Sequence, residues 1–227
     1  MKIGLVLFPE LTQLDLTGPL EVFSRMPGAE VHLLWKTLDP VASDRGFAML
    51  PTQRFDACTM LDLLCVPGGP GQIALMSDEE TLAFLRHVAP GCRLVTSVCT
   101  GSLVLAAAGL LEGCRATSHW SSLDQLAMFG VTPVAERVVR DGNRITGAGV
   151  TSGIDFALTV AAEMLGEDAA REIQLQIEYD PAPPFASGSP RSADPALLER
   201  VSARIAPFIA RRRAASEAAA ARLRAHP

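Results

Sequence analysis

A chain of 227 residues, 48% hydrophobic and 20% charged, has the apolar side chains for one domain with a substantial core, which excludes a disordered or fibrous class. Its net charge of −5 offers a nucleic acid no reason to bind, and the local run Arg211-Arg212-Arg213 reads as a solvated helix face rather than a phosphate-binding surface. The five cysteines, Cys58, Cys65, Cys92, Cys99 and Cys114, are odd in number and lack the CxxC pairing of a structural zinc site, so they read as reduced thiols.

In chain order, residues 2–8 form an unbroken apolar run, as a strand covered on both faces of a parallel sheet requires. The run has a single leading charge and meets Pro9-Glu10 with no small-residue cleavage site, so it reads as the first strand and not as a secretory leader. No later run is long enough to cross a bilayer, and the cytoplasm is the expected location. The following loop carries Asp15, after which Thr17 is placed to cap a helix reaching about Arg25, with Pro19 tolerated in its first turn. Strands are expected over 30–37 and 60–67. The second of these ends in Pro67-Gly68-Gly69-Pro70-Gly71, where glycines let the main chain come close to a ligand. Neither the Lys-Ser/Thr ending of a P-loop nor a GxGxxG fingerprint follows, so this is not a phosphate loop.

Helical spacing over 78–88 closes at Pro90-Gly91 and is followed by a strand over 93–98. At Cys99 the β-branched run gives way to small residues and leucines with helical spacing, continuing to about Gly109. Cys99 therefore falls at a sharp strand-to-helix turn, where a side chain is lifted above the sheet edge and the first free N–H groups of the helix favour a thiolate. Residues 115–120 read as a short strand or its exit, and Ser121 or Ser122 as the cap of a helix through Met128. The runs 131–139 and 144–146 flank Asp141-Gly142-Asn143, a hairpin signal. Helices are expected over 154–165 and 169–178, then an extended Pro-rich stretch over 181–185. From Asp194 the chain is Ala/Arg/Leu-rich and helical, with Pro207 as a kink. This alternation predicts a doubly wound α/β fold, a mostly parallel sheet flanked by helices, with its site at the carboxyl ends of the strands.

Asp15, Gly68-Gly69 and Cys99 all fall at such ends and should converge. A carboxyl beside a thiol can relay protons, a thiolate with an acid partner is a covalent-catalysis arrangement, and amides of the glycine turn and elbow can stabilise developing negative charge. Of the four histidines, His32, His87, His119 and His226, only His119, next to Trp120, is a candidate base or pocket residue, and it ranks below Asp15. On residue chemistry alone, a loop carboxylate, a core cysteine and an ordinary glycine turn remain alternative readings.

The segments Leu14-Asp15-Leu16-Thr17-Gly18-Pro19, Pro67-Gly68-Gly69, Val98-Cys99-Thr100-Gly101-Ser102 and Ala116-Thr117-Ser118-His119-Trp120 together resemble the DJ-1/PfpI superfamily. The resemblance continues through Arg137-Val138-Val139-Arg140-Asp141-Gly142-Asn143, Gly153-Ile154-Asp155-Phe156-Ala157-Leu158 and Gln174-Leu175-Gln176-Ile177-Glu178-Tyr179. Within the superfamily it is strongest to the isonitrile hydratase branch. It implies a flavodoxin-like catalytic domain over 1–190 and a helical extension over 191–227, packed on that domain or on a dimer partner. It further implies hydration of an isonitrile R–NC to a formamide through a thioimidate, with Cys99 as nucleophile, Asp15 as general acid and base, and Thr100 orienting the thiol or water. Gly68, Gly69, His119 and Trp120 would bind substrate or its developing charge, with no metal or organic cofactor, in a homodimer that engages neither nucleic acid nor membrane. Thr100 stands where PfpI-type peptidases carry His, no histidine opens the His-x-Glu pair of amidotransferases, and Asp15 fits the hydratase pattern better than Glu21 fits the oxidative-stress one. The alternatives are a redox sensor oxidised at Cys99 and an AraC-type regulator, which shares the Leu-Asp-Leu-Thr-Gly-Pro-Leu-Glu segment but continues into paired helix-turn-helix units that one Ala/Arg-rich helix is too short to build.

Overall fold

Strands whose every side chain is apolar or small can sit only where both faces are covered, and those strands form the centre of the sheet. The computed structural model describes residues 1–225; His226 and Pro227 lie outside the described residues. The strands are β1 (Lys2–Val6), β2 (Glu30–Trp35), β3 (Val41–Ala42), β4 (Ala48–Met49), β5 (Gln53–Arg54), β6 (Leu63–Val66), β7 (Leu94–Val98), β8 (Arg115–Ala116), β9 (Thr132–Pro133), β10 (Val138–Asp141) and β11 (Arg144–Gly147). The helices are α1 (Gln13–Phe23), α2 (Gln72–Leu75), α3 (Glu79–Val88), α4 (Gly101–Ala107), α5 (Ser152–Leu165), α6 (Glu167–Gln176) and α7 (Pro195–Ala225). Seven strands make the main sheet in the order β10-β11-β7-β6-β1-β2-β5, parallel throughout except for the β10–β11 hairpin at its edge. β6 and β7 are buried at every position, and β1 from Ile3 onward.

The connections explain the two helical layers. From β1 the chain steps outward to β2, but from β6 it steps the other way to β7, so right-handed crossovers place α1 and α3 on opposite faces. α1 packs with α5 and α6 on one side; α2, α3, α4 and α7 pack together on the other. The change of direction lies between β1 and β6, where an open α/β sheet leaves a crevice at the strand carboxyl ends. The doubly wound, mostly parallel architecture expected from the alternation is the one found.

Several boundaries differ from the expectation, each for a tertiary reason. α1 begins at Gln13, with Thr12 and not Thr17 at its N-cap, so Asp15 lies in the first helical turn instead of the preceding loop. That turn is pinned from outside: Thr12 N–H donates to Gly68 O at 3.0 Å, and Gly68 N–H to the Asp15 carboxylate. The run 131–139 is divided, β9 pairing with β8 and β10 with β11, because Val134 N–H donates to Ala116 O and Glu136 O accepts from the Thr117 hydroxyl. The helix expected from Ser121 is a tighter 3₁₀ run, Trp120–Phe129, whose first turn is capped by the His119 ring rather than by a serine. Pro207 is accommodated inside α7. Finally, Arg212 is only 5% exposed, which corrects the reading of Arg211-Arg212-Arg213 as a solvated face. Among the described residues no helix is long and apolar enough to cross a membrane.

Candidate active site

Two glycine-bearing turns, one after β6 and one after β7, build the site. Cys99 directly follows β7 with φ of +57°, a left-handed conformation that costs an L-residue energy and persists only where the surroundings impose it. Here its N–H donates to both Gly147 O (3.0 Å) and Ala148 O (2.7 Å), while its C=O accepts from the Ser102 and Ser118 hydroxyls at 3.1 and 3.0 Å. The next turn needs Gly101, since a Cβ there would lie 2.0 Å from Val66 O.

The β6 turn brings in the carboxylate. Gly68 N–H donates to Asp15 Oδ2 at 3.0 Å and Gly69 N–H to Thr100 Oγ1 at 3.2 Å, both within the protein interior. Gly68 is wedged between the two groups it joins: a Cβ would approach Thr100 N to 2.5 Å and Asp15 Oδ2 to 2.8 Å. The side chain that interacts with the Asp15 carboxyl is the Cys99 thiol. Asp15, Cys99, Thr100, Gly68 and Gly69 are thus brought together, as the strand-end argument anticipates. The two glycine amides, offered by the sequence as donors to a reacting group, are already engaged with Asp15 and Thr100.

Electrostatics revises the expected state of the sulfur. Burial pushes Asp15 up to about 7, held back by the Cys99 thiol and the Gly68 N–H. Burial also raises the Cys99 thiol well above its ordinary value, and the negative charge of Asp15 adds to this. The Thr100 N–H and the Arg212 guanidinium act the other way. The helix N-terminal donor that predicts an easily formed thiolate is therefore present but outweighed by loss of water and by the carboxylate. From about pH 7 upward Asp15 is ionised and the one proton of the pair rests on the sulfur.

His119 and Trp120 lie to one side. They line a cleft of about 680 Å³ with Ser118, Ala148, Gly149, Thr151, Arg137 and Arg191, among others. Burial, then the positive charge of Arg212, lowers His119 to about 4. Its Nδ1 accepts from Ser121 N–H at 3.3 Å and lies 2.8 Å from Ser121 Oγ, leaving the proton of the neutral ring on Nε2. Cys99, 5% exposed, does not line the cleft, whereas Ser118 and Ala148, which bond its backbone, do. Sequence reasoning gave neither of these a role and placed Arg212 on a solvated face. The buried face of α7, Arg212, Ser216, Ala219 and Ala220, follows helical spacing and was the available signal for the last.

With this geometry in place, comparisons with known proteins become specific. The DJ-1/PfpI family profile matches residues 1–163. An isonitrile hydratase of Pseudomonas putida is 54% identical over 223 residues, covering 98% of both chains. A crystal structure of a ThiJ/PfpI family protein from Pseudomonas syringae superposes with a TM-score of 0.92 at 45% identity, over 95% of this chain and 90% of that one. The transcriptional regulator GbdR of Pseudomonas aeruginosa is 30% identical over 185 residues, which is 78% of this chain but 49% of the regulator.

Proposed function

We infer, for a chain that belongs to the DJ-1/PfpI family, that the Cys99–Asp15 pair hydrates isonitriles to N-substituted formamides. The observation that carries this reading is 54% identity to an isonitrile hydratase over 98% of both chains. The chemistry of the pair supports it. The terminal carbon of R–N≡C accepts both a nucleophile and a proton, and the pair holds one of each.

In the first step the Cys99 sulfur forms a C–S bond to that carbon while the shared proton passes through Asp15 to the same carbon, giving the thioimidate R–N=CH–S–Cys99 and an Asp15 carboxylate. Asp15 then removes a proton from water as its oxygen adds to the carbon, and passes that proton to nitrogen. The tetrahedral adduct R–NH–CH(OH)–S–Cys99 collapses with C–S cleavage. Its hydroxyl proton returns to the Asp15–Cys99 pair and R–NH–CHO leaves. Overall one water is consumed and the pair is restored, with no change that calls for a redox cofactor or metal.

In this reading the Thr100 N–H stabilises the sulfur anion, and Gly68 and Gly69 act by holding Asp15 and Thr100 in register. The R group occupies the cleft beside His119 and Trp120, with its isonitrile end on the side of Ser118 and Ala148, the lining residues that bond the Cys99 backbone. The proposal extends to a catalytic domain over 1–190 with a helical extension from 191, acting as a cytoplasmic homodimer.

The test is formamide formation from cyclohexyl isocyanide. The protein should turn it over, Cys99→Ala should abolish turnover, and Asp15→Asn should lower kcat by about 10²-fold or more. A Cys99→Ala protein as fast as the original removes the covalent route.

A further inference from the structure

A buried guanidinium that no acid among the described residues neutralises is the feature least explained by folding alone. Arg212 of α7 is 5% exposed, and its bonds go to neutral groups: Nε to Gln72 Oε1 and Nη1 to Ser122 Oγ, both at 2.9 Å, with the Phe208 ring 4.6 Å from its central carbon. Among the described residues no carboxylate lies within ion-pair distance of it, although its neighbour Arg213 pairs with Asp124. A guanidinium does not give up its proton, so burying it without a counter-ion is costly unless a negative charge forms close by. Its anchors point to where that charge is. Gln72 N–H donates to Gly69 O, in the turn that holds Asp15 and Thr100; Ser122 N–H donates to His119 O; and α7 packs on α4, the helix that starts at the Cys99 elbow.

We propose that Arg212 is a positioning residue that supplies the counter-charge for the Cys99–Asp15 pair, so that α7 completes the active site. The groups facing the sulfur are then Asp15 from α1, the Thr100 N–H at the start of α4 and Arg212 from α7. Asp44 acts on Asp15, and His119, kept neutral by burial and then by the charge of Arg212, bears no charge of its own. As the sulfur becomes a thiolate, Arg212 stabilises its negative charge without ever taking its proton. The inference rests on the reading of Cys99 as the reactive group, but its test does not need isonitrile turnover.

That test is the rate of Cys99 carbamidomethylation by iodoacetamide at pH 8, resolved by peptide mass spectrometry, in the full-length protein and three variants. Arg212→Met removes the charge. Gln72→Glu keeps Arg212 and its anchor but cancels its field with an adjacent carboxylate. Arg212→Lys keeps the charge and loses the fork. Removing or cancelling the counter-charge should slow alkylation about fivefold or more, and Arg212→Lys should stay within about twofold of the original. A merely structural Arg212 predicts the reverse, since loosening α7 exposes the thiol and speeds the reaction. Gln72→Glu decides the matter if Arg212→Met does not fold: a rate equal to or above the original overturns the proposal, as does a loss in Arg212→Lys as large as in Arg212→Met. Slowed alkylation in a protein that converts no isonitrile would retire the hydratase reading and leave Arg212 as the counter-ion.

Discussion

Burial of Asp15 behind the Gly68 turn makes its protonation a property of the fold as much as of the reaction. An aspartate in the unfolded chain ionises near 3.8, whereas Asp15 in the fold holds its proton up to about 7. Between those values the folded state binds more protons than the unfolded one, so stability from this residue is fully present below about pH 3.8 and lost as pH rises through about 7. The loss is on the order of a few kcal/mol, since each tenfold change in proton affinity is worth about 1.4 kcal/mol. Asp15→Asn, neutral at every pH and still able to accept from Gly68 N–H, should therefore gain stability over the original protein between pH 5 and 8 in urea unfolding. A stability difference that is flat with pH would mean that the carboxyl is not buried in the working protein. The same titration governs rate. Below about pH 7 the pair carries two protons and cannot offer sulfur as an anion, so kcat/KM should fall about tenfold for each step of one in pH on the acid side.

At the level of elements, the site depends on two turns whose backbones touch, and Gly68 is where they meet. Gly68→Ala drives a methyl into Thr100 N and Asp15 Oδ2, neither of which can withdraw without moving the pair. We expect kcat to fall about 10²-fold with a loss of about 1–3 kcal/mol in stability. Gly28→Ala is the control. Gly28 also has a positive φ of +72° but nothing within 4 Å of the new Cβ, so it should cost about 1 kcal/mol and leave kcat unchanged. Equal rate losses in both variants would trace the effect to stability and not to misplacement. The strands that carry these turns were legible because β1, β6 and β7 are buried on both faces, which writes an apolar run directly into the sequence. The elbow at Cys99 was legible because the residue pattern changes period there. The start of α1 was not: Asp15 enters the helix through a bond to Gly68, 53 residues away, and no local pattern records it. Nor was the raised thiol pKa, which depends on how many groups from distant segments exclude water from one sulfur.

Across the whole molecule, α7 is the element whose placement the sequence disclosed least and on which the site leans from furthest away. Arg212 reaches Gln72 across 140 residues and Ser122 across 90, while Ser216 bonds Gln125 and Arg222 bonds Met76 O. A run of three arginines looks solvated until the small face that follows it, Ser216, Ala219 and Ala220, is recognised as the side on which the helix docks. That docking is separable from the sheet, because α7 rests on residues 120–129, α2 and α4. Ala219→Leu adds three carbons to a residue 3% exposed and should overpack this contact by about 1–3 kcal/mol. Native-state hydrogen exchange should then show lost protection in α7 and in residues 120–129, with β1, β6 and β7 still protected, and hydration of isonitrile should fall together with the helix protection. Full activity in a variant whose α7 amides exchange freely would detach the helix from the site, and loss of protection throughout the sheet would show that α7 is part of one cooperative unit rather than a docked arm.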